Sequence, residues 1–227
     1  MKIFVVIAAY NEEKRIGRVI NDLLKNKYTN IVVVDDGSTD NTFKIIKNTK
    51  VYALKHILNR GQGAALKTGI DFAISKNADV IVTYDADGQF LVKEIKKVIK
   101  PIIDEHYDVV LGSRFMGKTI NIRPLKKIVL KLGVFVVYIL YGIKVTDSQC
   151  GFRSFSKYSA KKIGLKSDRM EHAGEIFWEI KKNKLKYVEV PITVIYDKYT
   201  INKGQSWTKS IELGIRMLFR RFFLWLL

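Results

Sequence analysis

The sequence predicts an α/β fold with a mainly parallel sheet flanked by helices, and three observations carry that prediction. Short apolar runs recur at Ile3 to Ala9, Ile31 to Val34, Val51 to Leu54, Val80 to Tyr84 and Val109 to Leu111. Stretches of helical periodicity follow them, at Glu12 to Lys25, Thr42 to Lys47, Ala64 to Ser75 and Val92 to Asp104. Polar residues gather just after each run, where open parallel sheets bind ligands: Asn11 and Glu12, Asp35 and Asp36, Asn59 to Gly61, Asp85 and Asp87, and Ser113 and Arg114.

The first run leads from Met1 straight into Tyr10-Asn11-Glu12-Glu13, which is too short for a signal peptide and reads as a buried strand. The second ends on Asp35-Asp36-Gly37, and a carboxylate at a strand end can accept hydrogen bonds from ribose hydroxyls or a base N–H. Asp40 reads as the N-cap of the helix that starts near Thr42. The fourth run ends on Asp85-Ala86-Asp87-Gly88-Gln89. Two carboxylates spaced two apart on an extended segment point the same way, and the glycine then lets the chain turn. Such a pair suits a hard divalent cation, Mg²⁺ or Mn²⁺, shared with a diphosphate, and Gln89 can add a neutral oxygen. The plainer reading of the same residues is an acidic turn that caps the next helix.

From Pro124 the pattern changes. Residues 128–143 are nearly all apolar, with Lys131 near the start, but sixteen residues fall short of the roughly 20 that cross a bilayer. An interfacial or core helix is expected there. The segment from Ile211 to Leu227 sets Arg216, Arg220 and Arg221 among Phe219, Phe222, Phe223, Trp225 and several leucines, the pattern of a helix lying in a membrane surface. The alternative is a C-terminal helix packed on the sheet. The expected organisation is a catalytic domain over 1–206, containing an interfacial helix within about 124–143, and a membrane-associating amphipathic helix over 207–227.

With 227 residues and 48% hydrophobic content, the chain can bury a core without disulfides or structural metal. Its one cysteine, Cys150, excludes an internal disulfide framework and a Cys-rich zinc site. The net charge of +18 fits nucleic acid, an anionic membrane or phosphorylated small molecules. No helix-turn-helix, zinc finger or RNP-like aromatic strand stands out. Lys126, Lys127, Lys131 and the C-terminal arginines instead sit among apolar residues, which favours a membrane surface over nucleic acid.

Six motifs then occur in a familiar order: Ala8-Ala9-Tyr10-Asn11-Glu12, Val33-Val34-Asp35-Asp36-Gly37-Ser38, Asn59-Arg60-Gly61-Gln62-Gly63-Ala64, Asp85-Ala86-Asp87-Gly88-Gln89, Gly112-Ser113-Arg114 and Asp147-Ser148-Gln149-Cys150-Gly151-Phe152-Arg153. From Ile3 to about Val194 the chain resembles the inverting glycosyltransferases of family 2, of GT-A type with a Rossmann-like sheet. Within them it is most similar to the dolichyl-phosphate mannose and glucose synthases. The resemblance implies a nucleotide diphosphate sugar of the GDP-mannose or UDP-glucose type as donor and a polyprenyl or dolichyl phosphate as acceptor. Ala8, Tyr10, Glu12, Asp36, Gly63 and Asp85 would serve the nucleotide sugar. Asp85, Asp87 and Gln89 would hold Mg²⁺ or Mn²⁺. Asp87, Arg114 and Arg153 would carry catalysis, with Arg114, Lys126 and Lys127 facing the acceptor phosphate. Pro124-Leu125-Lys126-Lys127 departs from the branch, which carries a second arginine there. Lysine supplies the charge but not the bidentate fork.

The implied setting is the cytoplasmic side of a membrane, with the protein peripheral or interfacially anchored. A phosphate acceptor is already ionised at neutral pH and needs no strong general base. Two other readings stand beside this one. A family 2 enzyme with a glycan or protein hydroxyl acceptor would draw a base from Asp147, Glu171 or Glu175, and a basic peripheral membrane or nucleic-acid-binding protein would need neither cation nor sugar nucleotide.

Overall fold

The computed structural model describes residues 1–203. Its elements run β1 (Ile3–Ala9), α1 (Ile16–Lys25), β2 (Ile31–Asp35), α2 (Thr42–Lys47), β3 (Tyr52–Lys55), α3 (Gln62–Ser75), β4 (Val80–Asp85), a 3₁₀ turn (Val92–Glu94), α4 (Ile95–Glu105), β5 (Val109–Ile120), α5 (Pro124–Tyr141), β6 (Arg153–Ser156), α6 (Lys157–Lys162), α7 (His172–Lys182), β7 (Tyr187–Ile195) and α8 (Lys198–Lys203). The seven strands make one sheet in the order β3-β2-β1-β4-β6-β5-β7. Pairing is parallel except at β6, which runs antiparallel to both β4 and β5.

Side chains alternate across each strand, so both faces of the sheet need cover, and each receives a separate core. Val5, Ile7, Val33 and Val82 pack with Ile16, Val19, Ile20 and Leu23 of α1 and with Ile95, Val98 and Ile102 of α4. Phe4, Val6, Val34 and Ile81 face Ala65, Leu66 and Ile70 of α3 and Ile176, Phe177 and Ile180 of α7. Gly69 admits the sheet closely to α3, since a Cβ there would run into Val6.

Several boundaries differ from the sequence reading. Asn11 adopts a positive φ of 52° and residues 13–15 form turns, so α1 begins at Ile16 rather than Glu12. The fifth strand continues to Ile120, because beyond a register irregularity between Ser113 and Lys118 it pairs again with β7. The short strand β6 has no apolar run to announce it. It exists because β4 and β5 both present open edges to Arg153-Ser154-Phe155-Ser156.

The helix expected within 124–143 is α5, opened by Pro124 and closed by Gly142 at φ 67°. It buries Leu130, Val137 and Tyr141 and leaves Leu125, Ile128, Leu132, Phe135, Tyr138 and Ile139 about half exposed. Among the described residues, no helix is long and apolar enough to cross a membrane. The amphipathic helix expected over 207–227 lies outside the described residues.

Candidate active site

The carboxyl ends of β1, β2 and β4 lie side by side, with Ala8 in register between Val34 and Asp85. Next to them Tyr10 is 43% exposed and Glu12 is buried. The Glu12 N–H donates to Thr42 Oγ1 (2.7 Å), and its carboxylate accepts from the Tyr199 hydroxyl (2.9 Å). Arg15 pairs with Asp197, and its guanidinium lies over the Tyr199 ring. The segment after β7 is thereby strapped across this end of the sheet.

Asp36 was expected to line a nucleoside pocket. It is only 2% exposed. Oδ1 accepts from the Arg60 N–H (3.1 Å) and meets His56 Nδ1 at 2.7 Å, while Oδ2 accepts from the Gly61 N–H (2.6 Å) and Asn59 Nδ2 (3.0 Å). The carboxylate thus moulds the loop that opens α3. Gly61 takes φ 115° there, and Gly63 abuts the backbone of Ser167 and Arg169 with no room for a Cβ. His56 links Asp36 to Thr68 through Nε2 (3.0 Å). Neighbouring Asp35 is fully buried, and its Oδ1 has no hydrogen-bond partner.

Asp85 closes β4, and a Cβ on Gly151 would lie 2.6 Å from its Oδ1, so glycine is what admits the carboxylate here. Burial raises its pKa to about 6, against the pull of Arg114 and Arg153. Since the strand ends at Asp85, Asp87 sits in the following turn rather than on the same strand face, with Oδ1 accepting from the Gln89 N–H (3.0 Å) and Gly88 at φ 76°. The Gln89 carbonyl accepts from Ile195 N–H (3.0 Å), which ties the turn to β7. No group of three or more His, Cys, Asp or Glu side chains among the described residues could hold a metal ion.

Arg114, on β5, is 7% exposed. Its N–H (3.1 Å) and Nε (2.5 Å) both donate to Asp147 Oδ2, and Nη1 donates to the Tyr196 hydroxyl (2.6 Å). Burial opposes its charge, but Asp147 leads the groups that outweigh it, so the guanidinium stays cationic. Lys126 is half buried, with its ammonium 4.8 Å from the Tyr196 ring centre. Burial, then Arg114, lowers its pKa. Lys127, one position on and so about 100° round the helix, is exposed. The structure therefore brings Lys126 to Arg114 and turns Lys127 to solvent. Arg153 donates to the carbonyls of Cys150 (2.8 Å), Ser148 (3.3 Å) and Ala173 (3.5 Å), so it braces the 148–152 loop and offers Asp85 charge through space. Burial pushes the Cys150 thiol up to about 12, which makes it inert.

Tyr196 and Tyr199 are the site residues that sequence reasoning missed. The signal for Tyr196 was there in the alternation Ile192, Val194, Tyr196, all buried along one face of β7 and just beyond it.

A seven-stranded sheet that is parallel except at β6, with acidic residues at and just beyond the carboxyl end of β4, is a GT-A-like α/β fold. The chain belongs to Glycosyl transferase family 2, whose model matches residues 4–164. It is 41% identical to a UDP-N-acetylglucosamine–dolichyl-phosphate N-acetylglucosaminyltransferase of Methanococcus voltae, over 96% of this chain and 94% of that one. It is 45% identical to an uncharacterized protein of Methanocaldococcus jannaschii (98% and 93% covered) and 27% identical to a polyprenol monophosphomannose synthase of Mycolicibacterium smegmatis (93% and 86% covered). Among solved structures, glucosyl-3-phosphoglycerate synthase from Mycobacterium tuberculosis, in complex with Mn²⁺, UDP and glucosyl-3-phosphoglycerate, superposes with a TM-score of 0.72 at 15% identity, covering 96% of this chain and 77% of that one. At that identity the likeness speaks for the fold.

Proposed function

We propose that this glycosyltransferase moves a sugar from a nucleoside diphosphate sugar to the phosphate of a polyprenyl phosphate, with inversion at the anomeric carbon. The observation that carries the reading is the pair Arg114 and Lys126, two buried or half-buried cations side by side opposite Asp85 and Asp87. A phosphate dianion fits such a pair, and it needs no base to attack. Two of the three carboxylates on which a hydroxyl acceptor would draw are otherwise engaged. Asp147 is held by Arg114, and Glu175 accepts from the Lys166 and Ser167 N–H groups. The names of the relatives support a lipid phosphate acceptor.

The donor class rests on the same comparisons. A UDP-linked N-acetylhexosamine, in line with the Methanococcus relative, stands beside the GDP-mannose and UDP-glucose implied by the motifs. Ala8, Tyr10, Glu12 and the loop moulded by Asp36 would receive the nucleoside, with Gly63 setting the start of α3. Asp87 and Gln89 fit a divalent cation, because Asp85 already answers to two guanidinium groups while Asp87 sits in the turn beside the half-buried Gln89 amide. Mg²⁺ or Mn²⁺ there would neutralise charge developing on the departing diphosphate. Both ions occur with UDP in solved structures of like fold. Arg114, clamped at three atoms, would hold the attacking oxygen in line, and the buried Arg153 would keep Asp85 ionised.

A membrane surface would supply the acceptor. The half-exposed apolar stripe of α5, flanked by Lys127 and Lys131, supports interfacial contact, as does the composition of residues 207–227. The deciding experiment incubates the protein with Mn²⁺, a short polyprenyl phosphate and a panel of UDP- and GDP-sugars, with products read by mass. A glycosyl polyprenyl phosphate is expected from one donor. Transfer to a sugar or peptide hydroxyl, with none to the lipid phosphate, would overturn the reading.

A further inference from the structure

Tyr196 lies beyond the last shared motif and is the most deeply set member of the segment that follows β7. Its N–H donates to the Ile120 carbonyl (3.0 Å), which fixes it against the far end of β5. It is 2% exposed. Its hydroxyl accepts from Arg114 Nη1, and its ring face carries the Lys126 ammonium. One side chain therefore touches both cations to which the acceptor phosphate is assigned.

The two cations need such a partner for different reasons. A planar guanidinium held at Nε by Asp147 and at Nη1 by Tyr196 cannot swing, so its remaining N–H groups keep one direction. An ammonium on a four-carbon stem has no direction of its own, and an aromatic face supplies one. The pair also repels, since Arg114 adds to burial in lowering the Lys126 pKa. Asp147 is already committed to Arg114, and Asp87 acts on Lys126 only through space, so the ammonium can still take an arriving anion as a direct partner. Burial raises the Tyr196 phenol above its ordinary value, so it is a neutral hydroxyl at neutral pH. In the Arg114 contact its oxygen accepts, and its own proton stays available for an anion.

We propose that Tyr196 is a positioning residue of the acceptor site, aligning Arg114 and Lys126 into one receptor for the acceptor's phosphate. The proposal rests on the reading that these two cations face the acceptor rather than the donor. It predicts an effect confined to the acceptor, because Tyr196 touches neither Asp85 nor Asp87 through any hydrogen bond among the described residues.

Steady-state kinetics on the full chain test it, with geranylgeranyl phosphate as acceptor, Mn²⁺, and the sugar nucleotide found by the panel. Tyr196→Phe keeps the ring and loses the hydroxyl. It should raise the acceptor KM about tenfold, the scale of one hydrogen bond to a charged group, with the donor KM unchanged and only a modest drop in the thermal midpoint from the unpaired Nη1. Tyr196→Leu, which also removes the aromatic face, should raise it several-fold more. Should the Leu variant fail to fold, the Phe variant alone decides. Arg114→Ala and Lys126→Ala separate the two ideas. If both raise the acceptor KM while Tyr196→Phe leaves it unchanged or shifts both KM values equally, the positioning role is overturned and the acceptor reading stands. If both instead raise only the donor KM, the acceptor reading falls and takes the proposal with it.

Discussion

Asp36 illustrates how far a residue's role depends on what meets its side chain. Its two oxygens take two backbone N–H groups, an amide and an imidazole in a site closed to water. Asparagine offers one acceptor oxygen and turns an NH₂ group toward donors. Asp36→Asn should therefore lower unfolding stability by about 2–4 kcal/mol in urea titrations, and raise the donor KM as the 59–63 loop loosens. A variant as stable as wild type would show that the loop is held by something else. Asp87 differs, since it is only partly buried and sits in a turn beyond the end of β4. Asp87→Ala should abolish turnover, by at least about 10³-fold, while the melting temperature stays within a few degrees. Full activity of that variant, or of wild type in EDTA, would remove the divalent cation from the mechanism.

Helix α5 inverts the usual pattern of a surface helix, since the side away from the core is as apolar as the side that faces it. Leu125, Ile128, Leu132, Phe135 and Ile139 fall at spacings of three and four residues and form one stripe. Each can contribute about 1–3 kcal/mol if taken into an acyl boundary and little if left in water. Replacing Leu132, Phe135 and Ile139 with serine should cut binding to anionic liposomes in flotation assays without lowering stability, because none of them lies in the core. A large loss of stability instead would mean that the stripe packs against protein. Helix α7 carries a different liability in His172, whose burial lowers its pKa from 6.5 to about 4. The unfolded chain takes up that proton first, so the stability contributed by the neutral ring is complete above about pH 6.5 and is lost as the pH falls toward 4. The shift corresponds to roughly 3 kcal/mol. Relative to His172→Asn, the wild type should lose about that much between pH 7 and 4, a difference that cancels the carboxylates common to both. Parallel pH profiles would assign the acid sensitivity to other groups.

For the molecule as a whole, the charge of +18 and the two apolar, cation-flanked segments set the expectation of peripheral attachment. Removing Ser210 to Leu227 takes away Phe219, Phe222, Phe223 and Trp225, and with them Arg216, Arg220 and Arg221, worth roughly 1 kcal/mol each beside anionic lipid. The truncated protein should pellet less with anionic liposomes yet bind its sugar nucleotide as before, since the donor motifs all precede Arg153. Loss of donor binding or of folding on truncation, with a full-length protein that ignores liposomes, would make that segment part of the core.

The sequence by itself determined the parallel half of the sheet and the polar groups at its edge. Buried strands such as Ile31 to Val34 announce themselves as unbroken apolar runs, and the residue that ends a run must stand at the strand's carboxyl end. Asp40, read as the N-cap of α2, was placed one residue off: Asn41 holds the cap position, and the Asp40 carboxylate accepts from the Thr42 N–H across a turn just before it. What only the tertiary structure decided are the pairings that cross long stretches of chain. The link from Arg114 to Tyr196 spans 82 residues and that from Glu12 to Tyr199 spans 187, and no spacing rule connects them. The same holds for β6, whose polar Ser154 is buried because its hydroxyl finds the Val98 carbonyl at 2.6 Å. Apolar burial is written in local periodicity, whereas a buried polar group is tolerated only by the partner that meets it, and that partner comes from wherever the fold brings it.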